Sequence, residues 1–278
     1  MKILQNGRED GWEEMTNVLD SFRVMDNLRV VLVAARNPLN IGAAARAMSN
    51  FGVRRLRVVN PYEVAFREAR SAVGAAELLA QAEQFDDVGA AVADCRLVVG
   101  TSAVGARELQ HPLKRLEAGG REIRRGLAEG PVALLFGSER FGLSNVEMSH
   151  CHWMIRIPTR EEHGSMNLGQ AVAVCLYELI RGRTLAATKT TVAKAASANI
   201  ATAKKKKLLA TSGEFERLTQ VLLEVLRASG YVKPRIVAAE EKLRRLVRRM
   251  ELNENDAEVL LGMLRQVAWK LGTGQSDK

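Results

Sequence analysis

The sequence predicts an α/β domain on a parallel sheet, followed by a small all-α module. Short apolar runs such as Leu28–Ala34 and Val132–Phe136 are rich in branched residues and suit strands covered on both faces. Stretches with helical periodicity separate these runs, as in a parallel α/β fold. Three amphipathic stretches close the chain. We predict four segments: an N-terminal extension at 1–27, the α/β domain at 28–183, an Ala/Thr/Lys-rich linker at 184–207 and the helical module at 208–278.

Charge and cysteine content limit the class of protein. The net charge is +9 over 278 residues, and residues 204–278 hold 16 Lys/Arg against 10 Asp/Glu, which places +6 in the last quarter. This excess predicts a polyanionic partner such as nucleic acid, although a solvated basic surface without a ligand fits as well. We expect no membrane partner and a cytoplasmic location, because no apolar run is long enough to span a bilayer and no signal-peptide pattern is present. The three cysteines are expected to be reduced core residues.

Several common catalytic patterns are absent from the sequence. It contains no GxxxxGKS/T phosphate loop, no GxGxxG, no HExxH, no CxxC and no GxSxG. Nucleotide hydrolysis, hydride transfer, zinc chemistry and serine hydrolysis therefore lack their usual residues. His150, Cys151 and His152 are adjacent, but alternate residues of an extended segment point to opposite faces, so we expect no metal site.

The first strand, Leu28–Ala34, is followed by a predicted helix at Ile41–Phe51. The helix contains a run of Gly and Ala residues that are small enough to allow close packing on a neighbouring helix. Arg46 lies in this helix six residues after Asn40. Taken alone, it is most simply a solvent-facing arginine.

The middle of the domain is predicted to contain two further strands and four helices. We predict strands at Leu56–Asn60 and Arg96–Val99, helices at 65–74, 75–82, 88–93 and 115–129, and a polar loop at 107–114. Thr101, Ser102 and Ala103 lie in the turn after the second of these strands. Taken alone, such a turn is a weak signal, because many βα units contain one.

The fourth strand, Val132–Phe136, leads into the segment GSERFGLSNVEM. Gly137 is predicted to let a ligand approach the backbone at the strand end, where a side chain would block it. Glu139 follows at the edge of the sheet, and Ser144 or Asn145 is predicted to cap the next short helix. A single glutamate in a loop is usually just solvated, so any function of Glu139 depends on the whole motif.

The domain is predicted to end with an apolar strand at Trp153–Ile157, a polar loop and a helix that is apolar on one side. We expect this helix to stop at Gly182. Ser165 or Asn167 would act as an ordinary N-cap. The loop also lies at the carboxyl end of the sheet, where open α/β folds bind their ligands.

Three segments together carry a resemblance to a known family. Residues 40–52 have the pattern N-x-G-x-x-x-R-x-x-x-x-F-G, residues 136–143 are FGSERFGL, and residues 165–178 are SMNLGQAVAVCLYE. In this order they resemble the three motifs of the SPOUT-superfamily RNA 2′-O-ribose methyltransferases of the TrmH family, and most of all its TrmJ type. The resemblance covers roughly residues 28–183.

The resemblance implies a fold, a cofactor and a reaction. The fold is a parallel-sheet SPOUT domain with a deep C-terminal trefoil knot, which periodicity alone cannot reveal. The methyl donor is S-adenosyl-L-methionine, no metal is expected, and a homodimer builds its active site from both subunits. The implied reaction is methylation of a ribose 2′-hydroxyl in RNA. For the TrmJ type the substrate is tRNA and the target is nucleotide 32 of the anticodon loop.

The resemblance also implies which residues form the site. Catalytic roles fall on Arg46, Asn40, Glu139, Ser165 and Asn167. Cofactor binding falls on eight residues of three loops, which are Thr101, Ser102, Ala103, Gly137, Ile157, Gly164, Ser165 and Met166. A guanidinium stays protonated in proteins, so we expect Arg46 to hold the adjacent phosphate and stabilise the developing alkoxide, with the final proton acceptor left open.

Three other functions remain open at the level of sequence. The first is a ribose methyltransferase with the same motifs whose substrate is ribosomal RNA instead of tRNA. A base methyltransferase of the same superfamily, such as a guanine N1 enzyme, would share the fold but not the ribose-type features Asn40, Arg46 and the SMN triplet. A non-catalytic RNA-binding protein would keep the fold, but every motif position is filled here.

The helical module is predicted to contain three helices. Thr211 and Glu214 form a capping box for the first, and Asn255 or Asp256 caps the third. The second helix carries four arginines, which are Arg244, Arg245, Arg248 and Arg249. We predict that this basic helix or the Lys204–Lys207 run contacts RNA, and the alternative is an amphipathic helix that only packs.

Overall fold

The structure is a computed structural model that describes the chain in six stretches: 24–69, 74–103, 109–160, 165–193, 208–232 and 237–273. Most of the predicted N-terminal extension and of the linker lies outside the described residues, as does the whole Lys204–Lys207 run. Within these stretches no helix is both long enough and apolar enough to cross a bilayer.

Seven strands form one sheet in which every strand pair is parallel. They are β1 (Leu28–Val33), β2 (Arg55–Val59), β3 (Glu83–Phe85), β4 (Leu97–Thr101), β5 (Leu113–Arg115), β6 (Val132–Phe136) and β7 (Trp153–Arg156). Their order across the sheet is β3-β2-β1-β6-β4-β7-β5. The predicted α/β class with a parallel sheet is confirmed. The trefoil knot stays a prediction.

The sequence analysis missed the two outermost strands, β3 and β5. Each has only three residues, and β5 spans the end of the predicted polar loop at 107–114 and the first residue of the helix predicted at 115–129. Short edge strands with charged side chains are common because they discourage pairing with another chain, and they carry no apolar run that would reveal them.

Helices cover both faces of the sheet. In the α/β domain they are α1 (Pro38–Asn50), α2 (Glu63–Ala69), α3 (Ala76–Ala80), α4 (Val88–Ala91), α5 (Leu116–Glu129), α6 (Asn145–Ser149) and α7 (Leu168–Ala193). The core on one face joins β1 to α1, α5 and α7, and the core on the other joins it to α4 and α6. The predicted close packing of α1 is confirmed, because a Cβ built on Gly169 of α7 would lie 2.6 Å from the Cβ of Ala43.

The predicted stop of the last domain helix at Gly182 is wrong, because α7 continues to Ala193. A single glycine costs a helix only about 1 kcal/mol relative to alanine. The residues after it include three alanines before position 194, and alanine is the residue that favours a helix most. The helix therefore runs into the segment that was predicted as a linker.

The helical module consists of α8 (Ser212–Ala228), α9 (Val237–Arg249) and α10 (Glu254–Thr273). The capping box of Thr211 and Glu214 is confirmed at the start of α8. The predicted cap of α10 is wrong, because Asn253 accepts a hydrogen bond from the backbone N–H of Asp256 at 3.1 Å. A β-bridge between Leu209 and Asn253 holds this earlier residue in place, which the sequence does not show.

The module packs directly on the α/β domain near the amino end of β4. The backbone N–H of Ser212 donates to the carbonyl of Cys95 at 2.7 Å, and that of Gly213 donates to the carbonyl of Ala93 at 2.9 Å. The ring of Phe215 meets His152 edge to face, with 5.8 Å between the ring centroids. The module is therefore seated on the domain through both backbone and side chains.

The arginines of α9 face inward, which corrects the prediction that this helix is an RNA-binding surface. Arg244 and Arg248 are 5% and 2% exposed and Arg245 is also buried, whereas Arg249 is exposed. The physical reason is the presence of buried partners. Arg244 donates to both carboxylate oxygens of Glu216, at 2.8 and 2.9 Å, and its Nη1 donates to the hydroxyl of Ser149 at 3.0 Å.

Ionisation in this buried cluster is shifted by its arginines. Burial alone would raise the pKa of Glu216, but hydrogen bonds from Arg244 and Gln220 lower it to about 2. Three histidines face the module, and burial together with nearby arginines lowers the pKa of each. The values are about 4 for His111, about 3 for His150 and about 3 for His152.

Candidate active site

Side chains from the three sequence motifs meet at the carboxyl edge of the sheet. Glu139 follows β6, Asn40 lies in the first turn of α1, and Asn167 precedes α7. The amide nitrogen of Asn40 donates to Oε1 of Glu139 at 3.1 Å, and that of Asn167 donates to Oδ1 of Asn40 at 2.7 Å. Parallel strands bring their carboxyl ends to one edge, and this explains why residues 99 and 127 positions apart form one chain of hydrogen bonds.

Glu139 holds the turn between β1 and α1. Its carboxylate accepts from the backbone N–H of Arg36 at 3.2 Å and from that of Asn37 at 3.1 Å. Burial would raise its pKa, but hydrogen bonds from its own backbone, from Asn40 and from these two N–H groups lower it. Glu139 is therefore an ionised acceptor that orients Asn40, and it does not serve as a proton donor at neutral pH.

Asn167 both caps α7 and belongs to the site. Its Oδ1 accepts from the backbone N–H of Gly169 at 2.9 Å, and its carbonyl accepts from Ala171 at 2.8 Å. This confirms Asn167 as the N-cap and leaves its amide nitrogen to reach Asn40. Ser165 lies two residues earlier, is exposed and lines the neighbouring cavity.

The loop after β6 is a tight turn closed by a bridge between Ser138 and Gly142. The N–H of Gly142 donates to the carbonyl of Ser138 at 2.8 Å, and Gly142 has a φ of +66°, which favours glycine. A Cβ built on Gly137 would lie 2.1 Å from the carbonyl carbon of Gly142. The reason for Gly137 therefore differs from the expected one: the loop's own backbone fills the space, and no ligand is needed to explain the glycine.

A cavity of about 350 Å³ opens beside this loop. Seven of the eight predicted cofactor residues line it, which are Thr101, Ser102, Ala103, Gly137, Ile157, Ser165 and Met166. Gly164 lies outside the described residues. The volume falls within the range of small-molecule sites. The lining combines small and hydroxyl-bearing residues with apolar side chains such as Leu143 and Met148, and this mixture suits a ligand with polar and apolar parts, as S-adenosylmethionine is.

Several lining residues were missed by the sequence analysis. Leu143 belongs to the second motif and could have been found from it. Met148 and Ala171 carry no signal of their own, because their place depends on how α6 and α7 fold back toward the loop, and Thr159 is one of several polar residues in the loop after β7.

Arg46 is not part of this constellation within one chain. It is exposed on α1, and its Nη1 lies 3.8 Å from a Cβ built on Gly74. Six residues of α-helix turn a side chain by about 240° relative to Asn40, so the two residues point to different sides of α1. Within the described stretches, no three His, Cys, Asp or Glu side chains are grouped so that they would hold a metal.

Comparison with known proteins adds a family to this geometry. A model described as the SpoU rRNA Methylase family matches residues 27–177. The chain is 35% identical to the tRNA (cytidine/uridine-2′-O-)-methyltransferase TrmJ of Sodalis glossinidius, covering 88% of this chain and 92% of that protein. It is also 35% identical to the TrmJ of Klebsiella pneumoniae, covering 88% and 97% of the two chains.

A solved structure shows the same similarity in three dimensions. The crystal structure of TrmJ from Z. mobilis ZM4 superposes with a TM-score of 0.70 at 30% identity, covering 86% of this chain and 98% of that one. A probable methylase family protein from Haemophilus influenzae gives a TM-score of 0.53 at 29% identity, covering 90% and 99% of the two chains. The similarity extends well beyond residues 28–183, so it includes the helical module.

Proposed function

The chain belongs to the SpoU rRNA Methylase family and is an S-adenosylmethionine-dependent methyltransferase of the TrmJ type, and we propose that it methylates the ribose 2′-hydroxyl of nucleotide 32 in the tRNA anticodon loop. The observation that carries the proposal is the chain of hydrogen bonds from Glu139 through Asn40 to Asn167 beside a cavity of fitting size. The choice of tRNA is supported by the names of the relatives. The choice of nucleotide rests on the resemblance of the motifs alone.

The proposed chemistry asks the protein mainly to position its substrates. When bound, S-adenosylmethionine supplies a methyl group on a sulfonium, which is transferred to the ribose oxygen by in-line displacement without a metal. The residues that line the cavity, such as Thr101, Gly137 and Met166, would hold the donor. Asn40 and Asn167 would fix the ribose in line with it, since alignment of this kind accounts for a large part of such rate enhancements.

Ser165 and Arg46 would complete the site. Ser165 is exposed at the cavity and has a hydroxyl available to the ribose. Arg46 would hold the phosphate next to the target ribose and stabilise the alkoxide as the proton leaves. Because Arg46 does not line the cavity of its own chain, we propose that the protein works as a homodimer in which Arg46 serves a site shared with the partner subunit. A cytoplasmic location stays a prediction.

Substitution of Arg46 tests this assignment. We expect Arg46→Ala to lose the transfer of labelled methyl groups to RNA. Calorimetry should show that this variant still binds S-adenosylmethionine. Arg55→Ala is the matched control, since Arg55 is an exposed arginine at the amino end of β2, away from the cavity. Full activity of Arg46→Ala would contradict the catalytic role.

The position of the methyl group separates ribose from base methylation. Digestion of the methylated RNA to nucleosides, followed by mass spectrometry, should show the added methyl group on the sugar and an unchanged base mass. A methylated base would favour the base methyltransferases of the same superfamily and would contradict the roles of Asn40 and Arg46.

A further inference from the structure

Two exposed aromatic rings follow strands β6 and β2 at the carboxyl edge of the sheet. Phe141 follows Glu139 by two residues, lines the cavity and is 69% exposed. Tyr62 follows β2 and is 49% exposed. Single exposed apolar residues are ordinary on protein surfaces, so the exposure of these two rings gains meaning only from the groups beside them.

Each ring carries a guanidinium on its face. The guanidinium carbon of Arg140 lies 4.9 Å from the centroid of Phe141, and that of Arg36 lies 5.7 Å from the centroid of Tyr62. The two ring–guanidinium pairs are tied together, since the backbone N–H of Arg36 donates to Glu139, the residue that precedes Arg140. Both pairs therefore lie at the same edge of the sheet.

The Phe141 ring is held out by a rigid turn. The N–H of Phe141 donates to the hydroxyl of Ser138 at 3.3 Å, and the bridge from Ser138 to Gly142 closes the turn. The backbone of Gly142 also packs directly on Gly137, since a Cβ built on Gly137 would lie 2.1 Å from the Gly142 carbonyl carbon. The exposure of the ring is thus built into the loop.

A rigid aromatic ring beside a guanidinium suits an unpaired base. Single-stranded bases stack on aromatic side chains and on guanidinium planes, and the positive charge attracts the adjoining phosphate. A base inside a duplex is already stacked and cannot offer its face. The chemistry of this surface therefore matches a loop of RNA better than a helix.

We propose that Phe141 and Arg140 stack on an unpaired base next to the methylated nucleotide, and that Tyr62 and Arg36, whose backbone N–H donates to Glu139, receive the adjoining RNA. This inference rests on the proposed function, because it takes RNA as the substrate. It assigns RNA recognition to the rim of the cavity. The buried arginines of α9 cannot take that role.

Substitutions of Phe141 test the proposal in the full-length protein. Phe141→Ala should raise the Kd for tRNA by about tenfold, in line with the effect of removing one stacking ring. Phe141→Leu keeps apolar bulk without a ring, and its Kd for tRNA should rise like that of Phe141→Ala. Phe141→Trp keeps an aromatic ring, and its Kd should stay close to that of wild type. Tyr231→Ala is the control, since Tyr231 is 81% exposed in the helical module.

Two further readouts separate the proposal from its rivals. Binding of tRNA should also be measured without S-adenosylmethionine, where the Kd of Phe141→Ala should still be about tenfold higher than that of wild type. A difference that appears only with the cofactor present would mean that the ring acts through the cofactor instead. Sedimentation should give the same mass for both proteins, and a change in mass would mean that Phe141 joins two copies of the chain. Either result would overturn the proposal.

The wild type shows whether the proposed function or this inference has failed. If wild type transfers no methyl group to any RNA, the proposed function fails and the inference fails with it. If wild type is active and Phe141→Ala binds and methylates tRNA equally well, only the inference is contradicted.

Discussion

Replacing Glu216 by glutamine should destabilise the helical module and its contact with the α/β domain. In the folded protein this carboxylate accepts two hydrogen bonds from Arg244 and lies 3.7 Å from Arg248. The side chains of these arginines are 6% and 1% exposed. Glutamine keeps a similar shape but removes the negative charge, so two buried guanidinium groups lose their main counter-charge.

The expected loss of stability is about 3 kcal/mol. Removal of one partner from a buried ion pair usually costs about 3–5 kcal/mol, because the remaining charge stays desolvated. The lower end applies here for two reasons. Glu216 is 24% exposed, and Glu240 still pairs with Arg244 at 2.6 Å. A loss of this size is a large share of a typical unfolding free energy of about 5–15 kcal/mol.

Urea and thermal unfolding followed by circular dichroism would measure this loss. The melting temperature of Glu216→Gln should fall by roughly 6–10 °C. Glu224→Gln is the matched control, because Glu224 is an exposed glutamate of the same helix α8. If Glu216→Gln were no less stable than Glu224→Gln, the buried cluster would not be what holds the module in place.

Three other perturbations test the fold and the site. Gly137→Ala should abolish methyl transfer and lower the melting temperature, because the added Cβ would overlap the loop backbone. The control is Gly262→Ala, which should leave activity intact and stabilise α10, because a Cβ at this position meets nothing within 4 Å. Asn167→Ala should cost about 1 kcal/mol through the lost cap and should also reduce activity, while Asn255→Ala, an exposed residue, should change neither. Stability should fall as pH drops below about 6.5, because the three histidines that face the module bind protons in the unfolded chain and, with folded pKa values of about 3 to 4, stay neutral in the folded one. Urea unfolding at pH 8, 6.5 and 5 would measure this, and a flat profile would contradict the buried placement.

The parts of the fold that are visible in the sequence are those whose signal is local. The apolar runs of β1 and β6 and the capping box of Thr211 and Glu214 depend on neighbouring residues, and their prediction is confirmed. The edge strands β3 and β5 gave no such signal, because pairing at the edge of the sheet formed them without an apolar run.

The parts that were wrong depend on distant contacts. The arginines of α9 have the sequence pattern of a basic surface, yet they are buried against Glu216 and Ser149, which lie 28 and 95 residues from Arg244. Spacing within α9 cannot reveal such partners. The same holds for Gly137, whose need for glycine comes from a turn closed five residues later.

The candidate site was predictable as a set of residues but not as a geometry. The motifs named Asn40, Glu139 and Asn167, and the structure shows that they form one hydrogen-bonded chain. The motifs also named Arg46, which does not line the cavity. Its separation from Asn40 could have been predicted, because six residues of α-helix turn a side chain by about 240°.

Transfer of a labelled methyl group tests the central claim most directly. The purified protein would be incubated with labelled S-adenosylmethionine and with separate pools of tRNA and ribosomal RNA. We predict label in tRNA only, mapping to the ribose of nucleotide 32 in the anticodon loop. Label in ribosomal RNA would contradict the proposed substrate and keep the chemistry. Binding of RNA without any transfer of label would contradict the methyltransferase account itself.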